Sequence, residues 1–425
     1  MVLNYIWIGF FLVAFIVATI RTIGYYFRDS IGSEWLFDES NATVFNDLVQ
    51  STFDMAETSV DISIYLIGVM ALWLGIMKIG EQGGAVKGMA WIFGPLFRKL
   101  FPELSHNSPA HGSMLMNFSA NMLGLDNAAT PLGLKAMSEL QEENPTKDKA
   151  SDSQIMFMVL NTSGLTLIPV SVMALRASEG AANPADVFIP ILLATYFSTL
   201  IGLSVVAIKQ KISLLNPTVF IYLLSISAAI SGIIWYFSSL APEQIGLYSS
   251  IAGNGILMII ITLFMVLALT KKVNVYDAFI EGAKDGFSVA IKIIPYLVAM
   301  LVAIGVFRAS GAMEFLIEGI RCFVELFTVR TEFVEGLPTA FMKPLSGSGA
   351  RGMMVEAMHT HGADSFVGRL VSTLQGSTET TFYVLAVYFG SIGVKNTRYA
   401  LGAGLMADLA GIIAAIIISY MFFPI

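Results

Sequence analysis

Two of the long apolar stretches in this chain break open at polar clusters. Asn161-Thr162-Ser163-Gly164 interrupts the run Ile155–Leu175, and Gln375-Gly376-Ser377-Thr378-Glu379-Thr380-Thr381 interrupts Phe366–Phe389. Amides, hydroxyls and a carboxylate are costly at bilayer depth unless they pair, line water or hold a ligand. Around these breaks, windows of about 17–25 apolar residues, the length that crosses a hydrocarbon core, fall at nine places. They are Leu3–Ile23, Asp61–Ile79, Asp152–Ala177, Pro184–Ile208, Pro217–Leu240, Leu247–Thr270, Ile291–Phe307, Asp364–Phe389 and Arg398–Phe423. Ala85–Gln141 and Gly311–Thr360 each carry an amphipathic stretch followed by short apolar pieces broken by Gly, Pro, Asn and Ser. Such pieces survive at membrane depth only inside protein or along a cavity, so both regions are expected to be interfacial helices leading into re-entrant hairpins. The predicted fold is an all-α polytopic membrane protein with about nine transmembrane helices and two re-entrant helical hairpins.

The pattern repeats. Asp54–Gly80 aligns without a gap on Asp285–Gly311, pairing Tyr65-Leu66 with Tyr296-Leu297 and Gly80 with Gly311. Phe118…Gly124 parallels Phe341…Gly347, and Asp152-Ser153 matches Asp364-Ser365. Four spans and one broken region per half, joined by Pro217–Leu240, turn the second half over, giving inverted-topology repeats with broken helices. The expected divisions are 1–209, a linker helix within 210–244, and 245–425. Lys209, Lys211, Lys271 and Lys272 flank a loop at Ala241–Gly246 with neither Lys nor Arg. The positive-inside rule then places 209–211 and 271–272 inside and the acidic loop Gly24–Val60 outside.

Composition narrows the class further. Of 425 residues, 56% are hydrophobic and 13% charged, about half the charged fraction of a soluble domain. The net charge of −7 and the lack of basic runs argue against nucleic acid as a partner. One cysteine, Cys322, excludes a disulfide framework and a Cys-based zinc site. The N-terminal Met1-Val2-Leu3-Asn4 lacks the basic region of a cleaved signal, so the first span is expected to be retained. No cofactor motif is present.

Site candidates follow from the breaks. Gln375, Ser377, Thr378, Glu379 and Thr380 could hold a cation or polar solute, an ionisable group at depth being the sharpest signal; helix–helix glue is the bland alternative. Asn161, Thr162 and Ser163 would supply hydrogen bonds only. Asn121, Asp126 and Asn127 frame a short helix whose N-terminus either takes an anion or is simply capped. Ser346, Ser348 and Arg351 could bind a carboxylate or phosphate, or Arg351 could pair with Glu379 or Asp126. Asp408 in the last span is either a proton or cation carrier used in coupling or gating, or a partner for Arg351 or Lys292. His106, His111, His359 and His361 lie where loops meet water, and metal binding by the His359-Thr360-His361 pair with Glu356 is disfavoured. The 22 methionines read as adaptable packing. No catalytic constellation emerges, and an enzyme is not expected.

Several motifs carry a family resemblance. Asn121-Met-Leu-Gly-Leu-Asp-Asn-Ala-Ala-Thr-Pro-Leu-Gly-Leu-Lys-Ala-Met137 resembles the signature region of spore maturation protein A. Pro344-Leu-Ser-Gly-Ser-Gly-Ala-Arg-Gly-Met353, Gln375–Tyr383 and Ala407-Asp-Leu-Ala-Gly411 resemble spore maturation protein B. The chain looks like a fusion of the two, over about 1–209 and 245–425. The resemblance implies the nucleoside-recognition, or Gate, family, which is related in fold to the cores of ferrous iron permeases and concentrative nucleoside transporters. It also implies a link to dehydration of the spore core. The expected activity is secondary transport or permeation of a small polar solute or ion across the cytoplasmic membrane. The expected partners are the lipid bilayer, that solute or ion, a coupling cation and a second copy of the chain. The alternatives are a non-transporting scaffold for spore or envelope maturation and a metal-ion permease.

Overall fold

The computed structural model describes residues 2–31, 37–105 and 108–423, with only the backbone described at 2–3, 29–31, 126–128, 242–243, 289–290 and 292. Among the described residues every regular element is a helix. The first half runs α1 (Val2–Ile31), α2 (Ser40–Gly83), the amphipathic α3 (Ala85–Leu100), α4 (Ala110–Met122) and α5 (Asp126–Glu143). It continues with α6 (Asp152–Ser163), α7 (Val170–Ser178) and α8 (Phe188–Gln210). After α9 (Pro217–Ser238), the order returns as α10 (Pro242–Thr270), α11 (Val275–Ala309), the amphipathic α12 (Ala312–Glu325), α13 (Leu337–Leu345) and α14 (Gly347–His361). The chain ends with α15 (Phe366–Gly376), α16 (Thr381–Ser391) and α17 (Ala400–Phe422).

Among the described residues seven helices, α1, α2, α8, α9, α10, α11 and α17, are long and apolar enough to cross a membrane. The two interrupted spans are the pairs α6–α7 and α15–α16, whose short pieces meet end to end at the breaks. Leu12, Phe15, Ile221, Leu224, Ile259 and Leu263 on α1, α9 and α10 are exposed. So wide an apolar surface would make a soluble protein aggregate; here it faces lipid.

The first-half helix differs from the expected span. Residues 40–60, read from the sequence as part of an acidic external loop, are helical. α2 has 44 residues, about 66 Å at 1.5 Å each, roughly twice the hydrocarbon thickness. No glycine or proline occurs between Ser40 and Ile67, so nothing stops a helix that the apolar window alone could not show. Gly84 (φ +93°) and Gly311 (φ +85°) are the left-handed turns that open α3 and α12. The structural counterpart of Gly311 is therefore Gly84 rather than Gly80, because only glycine takes that conformation without strain. Gly80 stays inside α2, where an added Cβ would strike Phe264.

α2 packs antiparallel to α11, and α8 to α17. Gly305 of α11 lies against Ser51 and Met55 of α2, Gly286 against Met70 and Ala71, and Gly282 against Leu74. Small residues let these backbones approach closely, as membrane helices commonly do. Likewise Gly202 of α8 meets Ala407 of α17, while Ser198 meets Gly411 and donates to the Ala407 carbonyl at 2.9 Å.

Candidate functional site

Each broken span opens on a serine cap. Ser151 Oγ accepts from Gln154 N at 3.2 Å while Gln154 Oε1 accepts from Ser151 N at 2.9 Å, a reciprocal arrangement that satisfies two free donors. Ser365 Oγ accepts from Gly368 N at 2.9 Å. At the inner end α6 stops at Gly164, left-handed at φ +49°. The chain then runs without helix to Pro169, held where Leu167 N donates to Met122 O at 2.7 Å at the tip of the α4–α5 hairpin. α15 stops at Gly376, and α16 begins at Thr381.

The two breaks meet. Glu379 N donates to Thr162 O at 2.8 Å, and a Cβ on Gly164 would sit 3.1 Å from Glu379 Cγ. The outer ends are gripped across the halves as well. Arg176, fully buried, reaches Asp186 at 2.9 Å and Asp364 at 3.1 Å and donates to Ala363 O at 2.7 Å. At the other end Arg398 reaches Asp152 at 2.5 Å and Ala150 O at 3.2 Å. The aspartate opening each broken span is thus held by an arginine of the other half, and the spans lie antiparallel with their breaks at the crossing.

A cavity of about 70 Å³ lies at this crossing. Its polar lining includes Asn121, Thr166, Ser171, Lys343, Arg351, Gln375, Thr378 and Glu379, and Met70 and Leu74 of α2 give it an apolar wall. The first turn of α7, Val170 to Val172, closes one side; the N–H groups of a first helical turn have no acceptor within their own helix, and Val170 N donates instead to Ile168 O at 2.9 Å, leaving those of Ser171 and Val172. The Glu379 side chain is exposed and lines the cavity. Gln375 is 4% exposed, and its Oε1 has no hydrogen-bond partner. Arg351 Nε is likewise buried without one.

The other expected residues are placed differently. The acceptor oxygen of Asn161 is filled: its Oδ1 accepts from Asn121 Nδ2 at 2.7 Å and from Tyr388 OH at 2.9 Å, and one of its two Nδ2 hydrogens goes to Phe157 O at 2.9 Å. Thr162 and Ser163 turn their hydroxyls back to Met158 and Leu160 of their own helix; Thr162 serves the crossing through its carbonyl. Ser377 donates to Leu374 O at 2.8 Å, and Thr380 is buried against Gly347. Ser346 caps α14 by accepting from Gly349 N at 3.0 Å and lies 3.3 Å from Ser348. Asp126 and Asn127 form the start of α5, but their side chains lie outside the described residues.

Asp408, 1% exposed, accepts from Thr381 Oγ1 at 2.6 Å. The charges near enough to act on it are Lys343 and Glu379, in place of Arg351; Lys292 is outside the described side chains. No ion pair joins Arg351 to Glu379. The site also contains groups the sequence reading passed over: Lys343, Thr166, Tyr388 and Asn117, whose Nδ2 donates to Ala129 O at 2.7 Å and to Tyr388 OH at 3.3 Å. Lys343 was findable as a lone charge in a short apolar piece; Tyr388 sits in an apolar run that gives no such signal.

Away from the site, His359 lies 3.9 Å from Glu179 and His361 3.7 Å from Glu335, while Glu356 pairs with Arg308. Among the described residues no group of three or more His, Cys, Asp or Glu is placed to hold a metal. Burial pushes the Glu179 carboxyl up to about 7.

An all-helical, multi-pass membrane protein with two broken helices crossing at a polar cavity is the class this geometry defines. Residues 63–179 and 290–395, more than half of the chain, match the Gate family, described as nucleoside recognition, and the chain belongs to that family. The matched segments start within the antiparallel mates α2 and α11 and each continue past its broken span. Spore maturation protein B of Bacillus subtilis (strain 168) is 47% identical over 165 residues, 39% of this chain and 91% of that protein. Spore maturation protein A of the same organism is 40% identical over 163 residues, 38% of this chain and 83% of that protein. Kinship to both is consistent with a fusion of the two. No solved structure matches.

Proposed function

We propose that this protein is a secondary transporter or permease of the cytoplasmic membrane for a small polar solute or ion. Its two halves, 1–209 and 245–425, act as inverted repeats joined through 210–244. The observation that carries the reading is the crossing itself: two interrupted helices from different halves touch at Thr162 O and Glu379 N, beside a cavity into which an unpaired carboxylate projects. Broken helices at a repeat interface offer free backbone groups and helix ends to a solute, and one bundle rocking against the other alternates its access. α6–α7 and α15–α16 with the two hairpins are the moving parts in this reading, and α2 with α11 the scaffold. Asp408, buried next to the second break, is the coupling or gating group. The names of the two relatives tie the activity to spore maturation, and the chemistry is binding and passage rather than catalysis.

The test is flux into liposomes holding the purified protein, compared with Glu379→Gln. Solute- or ion-dependent flux that the variant loses by about tenfold or more, the scale of one lost charged contact to the solute, is expected. Absence of any flux would favour a scaffold in which the breaks serve only as interhelical glue.

A further inference from the structure

Arg351 and Glu379, opposite in sign, line one cavity of about 70 Å³ with no ion pair between them. Lys343, 4% exposed, lines it as well and is near enough to act on the buried Asp408. The Glu379 carboxylate makes no hydrogen bond among the described residues, and Arg351 Nε is buried without an acceptor. Leaving the buried Arg351 Nε without an acceptor is costly, and the exposed Glu379 carboxylate is open to a cation. A ligand that brings a positive and a negative end together answers both. Two further groups point into the same space: Gln375 Oε1, nearly fully buried and unpartnered, and the first turn of α7, whose positive dipole end favours an anion.

We propose that this cavity binds a small zwitterion of the amino-acid kind. Its ammonium end lies on Glu379 and Gln375 Oε1, and its carboxylate end on Arg351 and the N–H groups of Ser171 and Val172 in the first turn of α7, since Val170 N already donates to Ile168 O. The cavity is well below the roughly 300–1,000 Å³ of drug-sized pockets, so the ligand is short and lacks a bulky side chain. This deepens the transport reading and rests on the same cavity. A monovalent anion would satisfy Arg351 but meet repulsion from Glu379, and a cation the reverse.

The experiment measures equilibrium binding to the full-length protein in detergent. Glycine, alanine and β-alanine serve as zwitterions, acetate and methylamine as their singly charged halves, and acetamide as the neutral control. At least one zwitterion is expected to bind about tenfold or more tightly than either half. Glu379→Gln should weaken zwitterion binding by a similar factor while leaving acetate unchanged or tighter. Arg351→Gln should weaken both, and Arg351→Lys should restore part of the loss. If all three zwitterions bind no better than acetate or methylamine to the wild-type protein, the proposal is overturned whether or not the variants fold. Zwitterion binding without flux in liposomes would sink the transport reading and leave this site standing. Flux of some other solute or ion without zwitterion binding would do the opposite.

Discussion

The two end clamps occupy corresponding places but differ in burial, and that difference sets a quantitative expectation. Arg176→Leu removes a fully buried guanidinium from between Asp186 and Asp364, whose side chains are 9% and 36% exposed. Removing one partner of a buried pair costs about 3–5 kcal/mol, because the other charge is left uncompensated. Arg369 remains 2.7 Å from Asp186 and Asp364 is partly wet, so the loss falls at the low end, about 3 kcal/mol. Arg398→Leu breaks the matching contact to Asp152, but those side chains are 30% and 26% exposed. Water competes there, and a pair of that kind contributes about 0–1 kcal/mol. Reversible unfolding of the purified protein in mixed micelles, titrated with SDS, reads both. Combining Arg176→Leu with Asp364→Asn should give less than the sum of the single losses, since the two share one contact. Equal costs for Arg176→Leu and Arg398→Leu, or a cost below about 1 kcal/mol for the first, would refute the idea that burial makes one clamp the main fastening between the halves.

Gly164→Ala places a side chain on a residue at φ +49°, costing about 1 kcal/mol, and brings its Cβ to 3.1 Å from Glu379 Cγ. Gly180→Ala has the same backbone problem at φ +75° but open space around it; both should lose similar stability, and only Gly164→Ala should impair flux or binding. Glu179 gives a pH signature. Its folded pKa, about 7, lies above the ordinary value of 4.5, so its burial costs nothing below pH 4.5. The destabilisation grows between 4.5 and 7 and is complete above, at most about 3 kcal/mol. Glu179→Gln should therefore match wild type in thermal unfolding at pH 4.5 and exceed it at pH 8, with a pH-independent difference counting against the assignment.

Much of this architecture was legible because membranes make polar groups conspicuous. The cluster Asn161–Gly164, the run Gln375–Thr381 and the twin Asp152 and Asp364 openings all stood out against apolar surroundings, and they mark the crossing and its clamps. What the pattern could not carry was direction. Thr162 and Ser163 look ready to bind a solute, yet their hydroxyls return to their own helix, a choice made by rotamers rather than by spacing. The Asn161 carbonyl oxygen is occupied by Asn121 and Tyr388, which approach from other elements. The full length of α2 was hidden because Asp47, Asp54, Glu57 and Asp61 lower the hydropathy of a segment that still has no helix breaker. Arg176 was overlooked since its partners come from 10 and 188 residues away.

The central claim, that the crossing of the two breaks is reached in turn from both sides of the membrane, is tested by thiol accessibility. Thr166 lines the cavity and the one native cysteine, Cys322, is exposed, so Thr166→Cys is made on a Cys322→Ser background. The protein is reconstituted in sealed liposomes of known orientation, and a membrane-impermeant maleimide is applied from either face. Labelling from both faces, slowed from both by a bound solute, is the predicted result. Labelling from one face only under every condition, or from neither, would contradict the account.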